Sequence, residues 1–335
     1  MKQYKIAVVG ATGMVGRKFL QVLEERNLPA SEYILFASAR SAGSEVTFMG
    51  KPYIVRELTE TAFNGLGVDI ALFSAGGSTS EKYAPIVAAS GAVVIDNSSC
   101  WRMDPDVPLV VPEVNPDAIA MYKKKGIIAN PNCSTIQAMV PLKPLAVKYG
   151  LKRVIFSTYQ AVSGAGLKGF LDLENGLKGD KPVKFPHPIA GNCLPHIDVF
   201  MDNGYTKEEW KMIEETRKIL ALPDLPVTAT TVRVPVFHGH SESINVELSA
   251  PFEVDDIRKL WAHTDGIVVQ DDPANNVYPM AINAEDTDPV YVGRLRRDFS
   301  VENGINFWCV ADNIRKGAAT NAVQIAQELI HQWEA

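Results

Sequence analysis

"KIAVVGATGMVG", Lys5 to Gly16, starts as a short apolar run and ends in three glycines, Gly10, Gly13 and Gly16. Met14–Glu25 continues it with helical spacing. A strand, a glycine turn and a helix in that order open a dinucleotide-binding unit. Glycine lets the backbone approach a pyrophosphate, and amides at the helix start bind its charge. The pattern is GxxGxxG and not GxGxxG, so its weight comes from context. Tyr33–Ala37, Asp69–Ser74, Val93–Asp96 and Ile127–Ala129 read as further buried strands, and Thr79–Ala89 as a helix between two of them. Strands alternating with helices predict βαβ units and a parallel sheet.

The end of the second strand bears on the cofactor. A carboxylate there would bind a ribose 2′-hydroxyl. "YILFASARSAG" carries Arg40 and Ser41 instead, with no acid before Glu45. An arginine suits a 2′-phosphate, so NADP is expected over NAD. "FSAGGS" closes another strand with small residues, as a loop facing a cofactor would.

Beyond Ala129 the texture changes. Arg153–Ala161, Val227–Val234, Glu242–Leu248, Val290–Arg297 and Ile305–Val310 read as strands with longer connections, which predicts an antiparallel or mixed sheet. Pro182–Pro195 reads as a loop rich in proline and glycine. Asp312–Ala335 reads as one amphipathic helix, with Ala318, Ala322, Ile325, Leu329, Ile330 and Trp333 on one face.

Length and composition agree with two domains. The chain has 335 residues, 46% of them hydrophobic and 21% charged, with a net charge of −6. No basic run exceeds Lys123–Lys125, which argues against a nucleic-acid partner. No apolar run approaches the ~18 residues of a membrane span. Met1 leads at once into a strand, so no signal peptide is expected. Cys100, Cys133, Cys193 and Cys309 are far apart and form no CxxC, so neither a disulfide framework nor a metal site is expected. A reducing cytoplasm fits them.

Cys133 follows "IIANPN" and precedes an apolar helix. Pro131 biases Asn130 toward extended geometry, which puts the thiol at a helix start. There, unpaired amides stabilise a thiolate, the nucleophilic form, and could stabilise an oxyanion on an attacked carbonyl. A nucleophile needs a base. "VRVPVFHGHSES" offers His238 and His240, and the pattern does not choose between them. Arg233, in the same stretch, could bind a substrate carboxylate. Thr206 could cap the helix "TKEEWKMIEETRKIL", making Glu208 and Lys211 i,i+3 neighbours on one face.

Taken in order, "GATGMVG", "DNSSCWR", "NPNCSTIQ", "YQAVSGAG", "EEWK", "RVPVFHGHSE" and "DNIRKGAA" resemble the aspartate-β-semialdehyde dehydrogenase family. The resemblance spans essentially the whole chain. It implies an α/β protein with an N-terminal Rossmann-like NADP-binding domain, residues 1–130. A C-terminal helix, 312–335, would pack back on that domain and complete it. Residues 131–311 would form an α+β catalytic and dimerisation domain with a mixed sheet.

The implied reaction is the NADP-dependent reductive dephosphorylation of L-aspartyl-4-phosphate to L-aspartate-4-semialdehyde and phosphate. It is reversible and leads toward lysine, threonine and methionine. The resemblance makes Cys133 the nucleophile that forms a thioester, His240 the acid/base and Gln160 the residue that holds the substrate. It assigns Arg233 to the substrate carboxylate, Glu208 to its ammonium, and Arg102 and Lys211 to phosphate. It assigns Gly10, Thr12, Gly13, Met14, Val15, Arg40, Ser41, Ser163, Gly164 and Asn313 to the cofactor. It implies a homodimer, a tetramer in some members, and small-molecule partners only. Some members carry a cysteine just before the histidine; "FHGHSE" does not, which leaves His238 as a lesser rival. Three readings compete with this one: an N-acetyl-γ-glutamyl-phosphate reductase, a cysteine acyl hydrolase, and a non-catalytic NADP sensor.

Overall fold

The computed structural model describes residues 2–335. In chain order its main elements are β1 (Tyr4–Val9), α1 (Met14–Arg26), β2 (Ala30–Ala37), β3 (Glu45–Phe48), β4 (Lys51–Ile54), β5 (Arg56–Glu57), β6 (Ile70–Phe73), α2 (Gly77–Ala89), β7 (Val93–Asp96) and β8 (Ile127–Ala129). Then come α3 (Cys133–Tyr149), β9 (Leu151–Gln160), α4 (Gly166–Gly176), α5 (Lys207–Leu220), β10 (Val227–Arg233), β11 (His240–Leu248), α6 (Val254–Ala262), β12 (Ile267–Val269), α7 (Ala281–Ala284), β13 (Val290–Asp298), β14 (Gly304–Ala311) and α8 (Thr320–Glu334). These elements form two compact units. One contains residues up to Pro131 together with Ala318–Ala335, and the other is Asn132–Gly317.

The first unit is a Rossmann-like layer built on a six-stranded parallel sheet of order β5-β2-β1-β6-β7-β8. From β1 the chain crosses through α1 to β2 on one side, and later returns to β6 on the other. That reversal leaves a crevice at the carboxyl end of β1, the place where such sheets bind ligands. β6 and β7 are buried at every position. This is why they read as apolar runs and not as alternating patterns. Ile6, Val8, Leu35, Leu72 and Ile95 from the sheet share one core with Phe19 and Leu23 of α1 and Ile325, Ala326 and Leu329 of α8. The C-terminal helix thus completes the unit that the N-terminal segment begins. Near its end the Trp333 ring lies 5.4 Å from that of Tyr4.

The second unit is a six-stranded mixed sheet, β10-β9-β11-β14-β13-β12. The β10/β9 and β12/β13 pairs are parallel; the inner pairs are antiparallel. α3, α5 and α6 lie against one face. α3 contains Pro141 and Pro144. Pro141 has no N–H to give the carbonyl of Gln137 four residues earlier. The Cys309 thiol donates to that carbonyl instead, at 3.6 Å. The opposite sheet face carries half-exposed and exposed side chains such as Tyr159, Thr230, Arg296 and Trp308.

One expectation about the helices needs correction. The stretch 312–335 is not one helix. Asp312 Oδ1 accepts the amides of Ile314 and Arg315 at 2.7 and 2.9 Å. Gly317 N–H donates to Asp312 O at 3.0 Å, a five-residue step, and the α-helix begins only at Thr320 after a π turn over Arg315–Ala319. The asparagine-like capping by Asp312 competes with helix continuation at that point. "GLKGFLDLENG", for which the sequence reading gave no element, forms α4 despite its internal glycines. Its Leu173 packs with Val162, Ile189 and Leu194, a satellite core that overrides weak local propensity. Asp172 of α4 accepts amides of Val183, Lys184 and Phe185, each at 2.8 Å, and so ties down the proline-rich loop.

Candidate active site

The glycine loop of the first unit has the shape its sequence predicts. Gly10 has φ +85°, and a Cβ there would lie 2.3 Å from Ser74 O. A Cβ on Gly16 would lie 2.0 Å from Gly10 O. Neither position tolerates a side chain, so the turn and the close seating of α1 both depend on glycine. Gly13 is the N-cap of α1 and supplies no capping side chain. Thr12, Gly13, Met14 and Val15 therefore surround an uncapped helix start, where the first-turn amides have no intrahelical acceptors. Such a cradle fits a pyrophosphate. Arg40 is exposed in the turn just after β2, and Ser41 lies in the same turn, its amide donating to Ser38 O at 2.9 Å. Arg102, also in this unit, is buried; its Nε donates to Asn130 O at 2.9 Å and its Nη2 to Asn97 O at 3.2 Å.

The second unit gathers the chemistry around the first residue of α3. Asn132 is the N-cap: its Oδ1 accepts from Ser134 N at 3.0 Å and Thr135 N at 3.3 Å. Such a cap contributes about 1 kcal/mol to a helix. Cys133, partly exposed, follows it at the mouth of the helix. Its Sγ lies 3.2 Å from His240 Nε2. On the far side of that ring, Nδ1 accepts the N–H of Ala161 at 3.0 Å. An acceptor at Nδ1 fixes the neutral ring as the Nε2–H tautomer, so the proton points at sulfur. Burial first, and then the Arg233 charge, push the imidazole well below its ordinary value. The geometry sets the His240 ring, and not that of His238, beside the sulfur. His238 instead lies against Phe170, with its Nε2 3.8 Å from Glu285 Oε1.

Arg233 ends β10 and is paired in register with Gln160 at the end of β9. It is buried, its Nη1 donates to Ala161 O at 2.7 Å, and its Nε has no partner. No carboxylate pairs with it directly among the described residues. Gly164 lies against both groups: a Cβ there would be 3.0 Å from Arg233 Nη1 and 3.1 Å from His240 Cε1. Ser163, the neighbour of Gly164, receives Asn313 Nδ2 at 3.1 Å, while Asn313 Oδ1 accepts Gly239 N–H at 3.0 Å. The Asn313 amide thus braces the turn that carries His240.

Glu208 and Lys211 do form an ion pair, at 3.2 Å, but it is not a solvated one: Glu208 is 5% exposed. Lys211 also pairs with Asp198 at 2.7 Å. Glu208 Oε1 accepts from Asn132 Nδ2 at 2.8 Å and Gln160 Nε2 at 3.3 Å, and Gln160 Nε2 also donates to Ser134 Oγ at 2.8 Å. Burial alone would raise the Glu208 carboxyl; the Lys211 ammonium, the Asn132 amide and the Arg233 guanidinium outweigh it and hold it below the ordinary value. Thr206 caps α5 as the sequence predicts, in a reciprocal capping box with Glu209.

Several residues of the site escaped the sequence reading. Glu215 Oε2 accepts the backbone N–H of Asn132 at 2.6 Å, so two carboxylates of α5 clamp the N-cap that precedes the thiol. Glu208 and Glu215 are seven apart, two helical turns on one face, which was the available signal. Asn132 was legible as an N-cap from "NPNCST". Nothing in the sequence pointed to Gly317. The π turn brings it against the thiol residue, so that a Cβ on Gly317 would be 2.9 Å from Cys133 Cβ. Gly317→Ala is expected to lower kcat by about tenfold or more, since misplacement of a reacting atom by an ångström costs up to ~100-fold. Unchanged kcat in steady-state assays of that variant would show the contact to be slack.

The comparisons with known proteins fall on both units. Residues 5–122 match the model "Semialdehyde dehydrogenase, NAD binding domain", and residues 142–316 match "Semialdehyde dehydrogenase, dimerisation domain". An aspartate-semialdehyde dehydrogenase of Aquifex aeolicus is 59% identical over 337 residues, covering 98% of each chain. The crystal structure of aspartate semialdehyde dehydrogenase II from Vibrio cholerae, complexed with ASA, superposes with a TM-score of 0.94 at 49% identity, covering 99% of each chain. That of aspartate semialdehyde dehydrogenase from Candida albicans, with NADP, has a TM-score of 0.77 at 27% identity and covers 98% of each chain. With two matched domains in order and close relatives along nearly its full length, the chain belongs to the aspartate-semialdehyde dehydrogenase family.

Proposed function

We propose that the chain catalyses the NADP-dependent, reversible reductive dephosphorylation of L-aspartyl-4-phosphate to L-aspartate-4-semialdehyde and phosphate, through a thioester on Cys133. The observation that carries this reading is the Cys133 Sγ to His240 Nε2 contact of 3.2 Å at the mouth of α3, beside the Arg233 guanidinium that no carboxylate neutralises directly.

In the reductive direction the Cys133 thiolate attacks the acyl carbon, and a C–S bond forms. The negative oxygen that develops accepts the Nε2–H of His240, already aimed there by Ala161. Reformation of the carbonyl breaks the C–O bond to phosphate, which leaves with the bonding pair. Lys211 and Arg102 are the cations assigned to that anion. When bound, the nicotinamide supplies the hydride that reduces the thioester carbonyl. His240 again holds the resulting oxyanion. Its collapse breaks the C–S bond, releases the aldehyde and returns the thiolate. Arg233 takes the substrate carboxylate. Glu208 takes its ammonium, where the cation competes with Lys211 for Oε2. These two contacts and Gln160 fix the acyl carbon against sulfur, an orientation effect.

The cofactor residues of the first unit are Gly10, Thr12, Gly13, Met14, Val15, Arg40 and Ser41. The glycine cradle and uncapped helix start suit a pyrophosphate, and exposed Arg40 suits a 2′-phosphate. The family resemblance also assigns Ser163, Gly164 and Asn313 of the second unit to the cofactor. The NADP bound by the Candida albicans relative supports this choice. The ASA complex of the Vibrio cholerae relative supports the substrate. A free α-ammonium partner, Glu208, disfavours an N-acylated substrate.

The test is a phosphate-dependent assay with aspartate semialdehyde, NADP⁺ and inorganic phosphate, read at the NADPH absorbance. Turnover with NADP⁺ is expected to exceed that with NAD⁺, and absence of phosphate dependence would overturn the reading. The uncovered face of the second unit's sheet holds a depression of about 510 Å³ lined by Tyr159, Tyr278, Met280, Arg296 and Trp308 among others. We assign that face to the homodimer contact implied by the dimerisation-domain match. Sedimentation equilibrium is expected to give the mass of two chains; a single-chain mass would exclude the assignment.

A further inference from the structure

Two residues beyond His240, on the same face of β11, lies a carboxyl group that the mechanism does not use. Glu242 is fully buried at 0% exposure, and neither of its oxygens has a hydrogen-bond partner. The register sets it opposite Thr158 on β9 and opposite Cys309 on β14, and Thr231 on β10 pairs with Thr158. The hydroxyls of Thr158 and Thr231 are likewise buried and unpartnered. Thr231, Thr158 and Glu242 thus form a polar rung one step inward from the rung of Arg233, Gln160 and His240.

Above this rung α3 presents Gln137. Its Nε2 donates to the main-chain carbonyl of His240 at 3.2 Å, and its Oε1 has no partner. Its own main-chain carbonyl takes the Cys309 thiol, so Gln137 and Glu242 both converge on Cys309. An ionised carboxylate buried there has no hydrogen-bond partner to compensate its charge. A carboxylic acid, in contrast, carries one O–H to donate. Gln137 Oε1 is an acceptor in need of one.

We propose that Glu242 is a positioning residue of the active site, present as an un-ionised carboxylic acid whose O–H serves Gln137 Oε1, directly or across one internal water, so that Gln137 holds the His240 backbone in place. The titratable and charged groups around it agree. Burial, and then the negative charge of Glu208 on α5, push the Glu242 carboxyl well above its ordinary value. Cys309 on β14, itself raised by burial and by Glu242, adds no positive charge. His240 on the same strand is neutral, and Arg233 ends β10 two residues beyond Thr231, on the neighbouring rung. The functional half of the proposal rests on His240 acting in the reaction proposed above; the protonation half does not.

The experiment therefore has two arms. Infrared difference spectra of resting wild-type protein against E242Q at neutral pH are expected to show a protonated-carboxyl band that E242Q lacks. Absence of that band overturns the proposal, whatever the enzyme's activity. In kinetics, E242L and Q137L are each expected to lose about tenfold in kcat with KM little changed, and the double variant to lose no more than either, because both break one chain of contacts. E242Q keeps a donor and is expected to recover most of what E242L loses. Loss in E242Q equal to that in E242L, or additive losses in the double variant, overturns the proposal. Should E242L fail to fold, the infrared arm and E242Q still decide it.

Discussion

Cys133→Ala is expected to abolish turnover, by at least about 10⁴-fold, the scale set by removing a nucleophile from a hydrolase that forms an acyl-enzyme. The alanine variant keeps the N-cap Asn132 and its clamps from Glu208 and Glu215, so the helix start and the fold remain. It removes the sulfur that lies beside His240. The proposed cofactor site draws on the glycine loop and Arg40 of the first unit, so NADP affinity by calorimetry or fluorescence is expected to stay within a few-fold. The pairing of lost turnover with kept binding separates a missing nucleophile from a misfolded chain. Turnover by the alanine variant at even a few per cent would overturn the thioester route. A non-catalytic NADP sensor would be untouched in both readouts, and a hydrolase would never oxidise NADPH.

The second large effect is at His240. His240→Ala is expected to lower kcat by about 10²–10⁴-fold, the range for a positioned proton-transfer or donor group. His240→Gln is expected to retain more activity than alanine, since its amide can still donate toward the sulfur. Equal losses in both would mean that the ring must gain and lose a proton, and would remove the fixed-donor role derived from the Ala161 contact. The pH dependence follows from the same geometry. The folded-state value is depressed, so His240 stays neutral at pH 7 and below its ordinary ~6.5. Protonating it requires losing the Ala161 N–H bond to Nδ1. The acid limb of kcat/KM due to this group is therefore expected to lie below pH 6.5. The sign for stability is the same: below the unfolded value the unfolded chain binds a proton that the folded one refuses, so acid destabilises the fold.

The family resemblance, carried by short motifs in order along the chain, names most of the site. The residue types in those motifs already carry their chemistry: a thiol after a proline turn, a histidine in the stretch after a strand, an arginine seven positions ahead of it. Position along a helix or strand is local, and local geometry is set by neighbours in sequence. The GxxGxxG loop is the clearest case. Gly10 and Gly16 read as close-approach glycines, and the structure shows the backbone oxygens that no side chain could coexist with. Strand positions were legible for the same reason. β7 and β8 carry the bounds read from the sequence, because buried parallel strands are apolar along most of their length.

What the sequence by itself determined, then, was the alternation that makes a Rossmann-like layer, the helix start that exposes Cys133, and the candidates for its base. The tertiary structure alone set the His240 ring against the sulfur and the His238 ring against Phe170 and near Glu285. It alone showed that the C-terminal stretch opens as a π turn seating Gly317 on Cys133, that Glu215 holds Asn132, and that Ala161 sets the tautomer of His240. Each of these joins residues brought together by strand register or helix packing across tens of positions in the chain. Sequence spacing carries the period of an element, but it carries no distance between elements. That distance is fixed only when side chains pack.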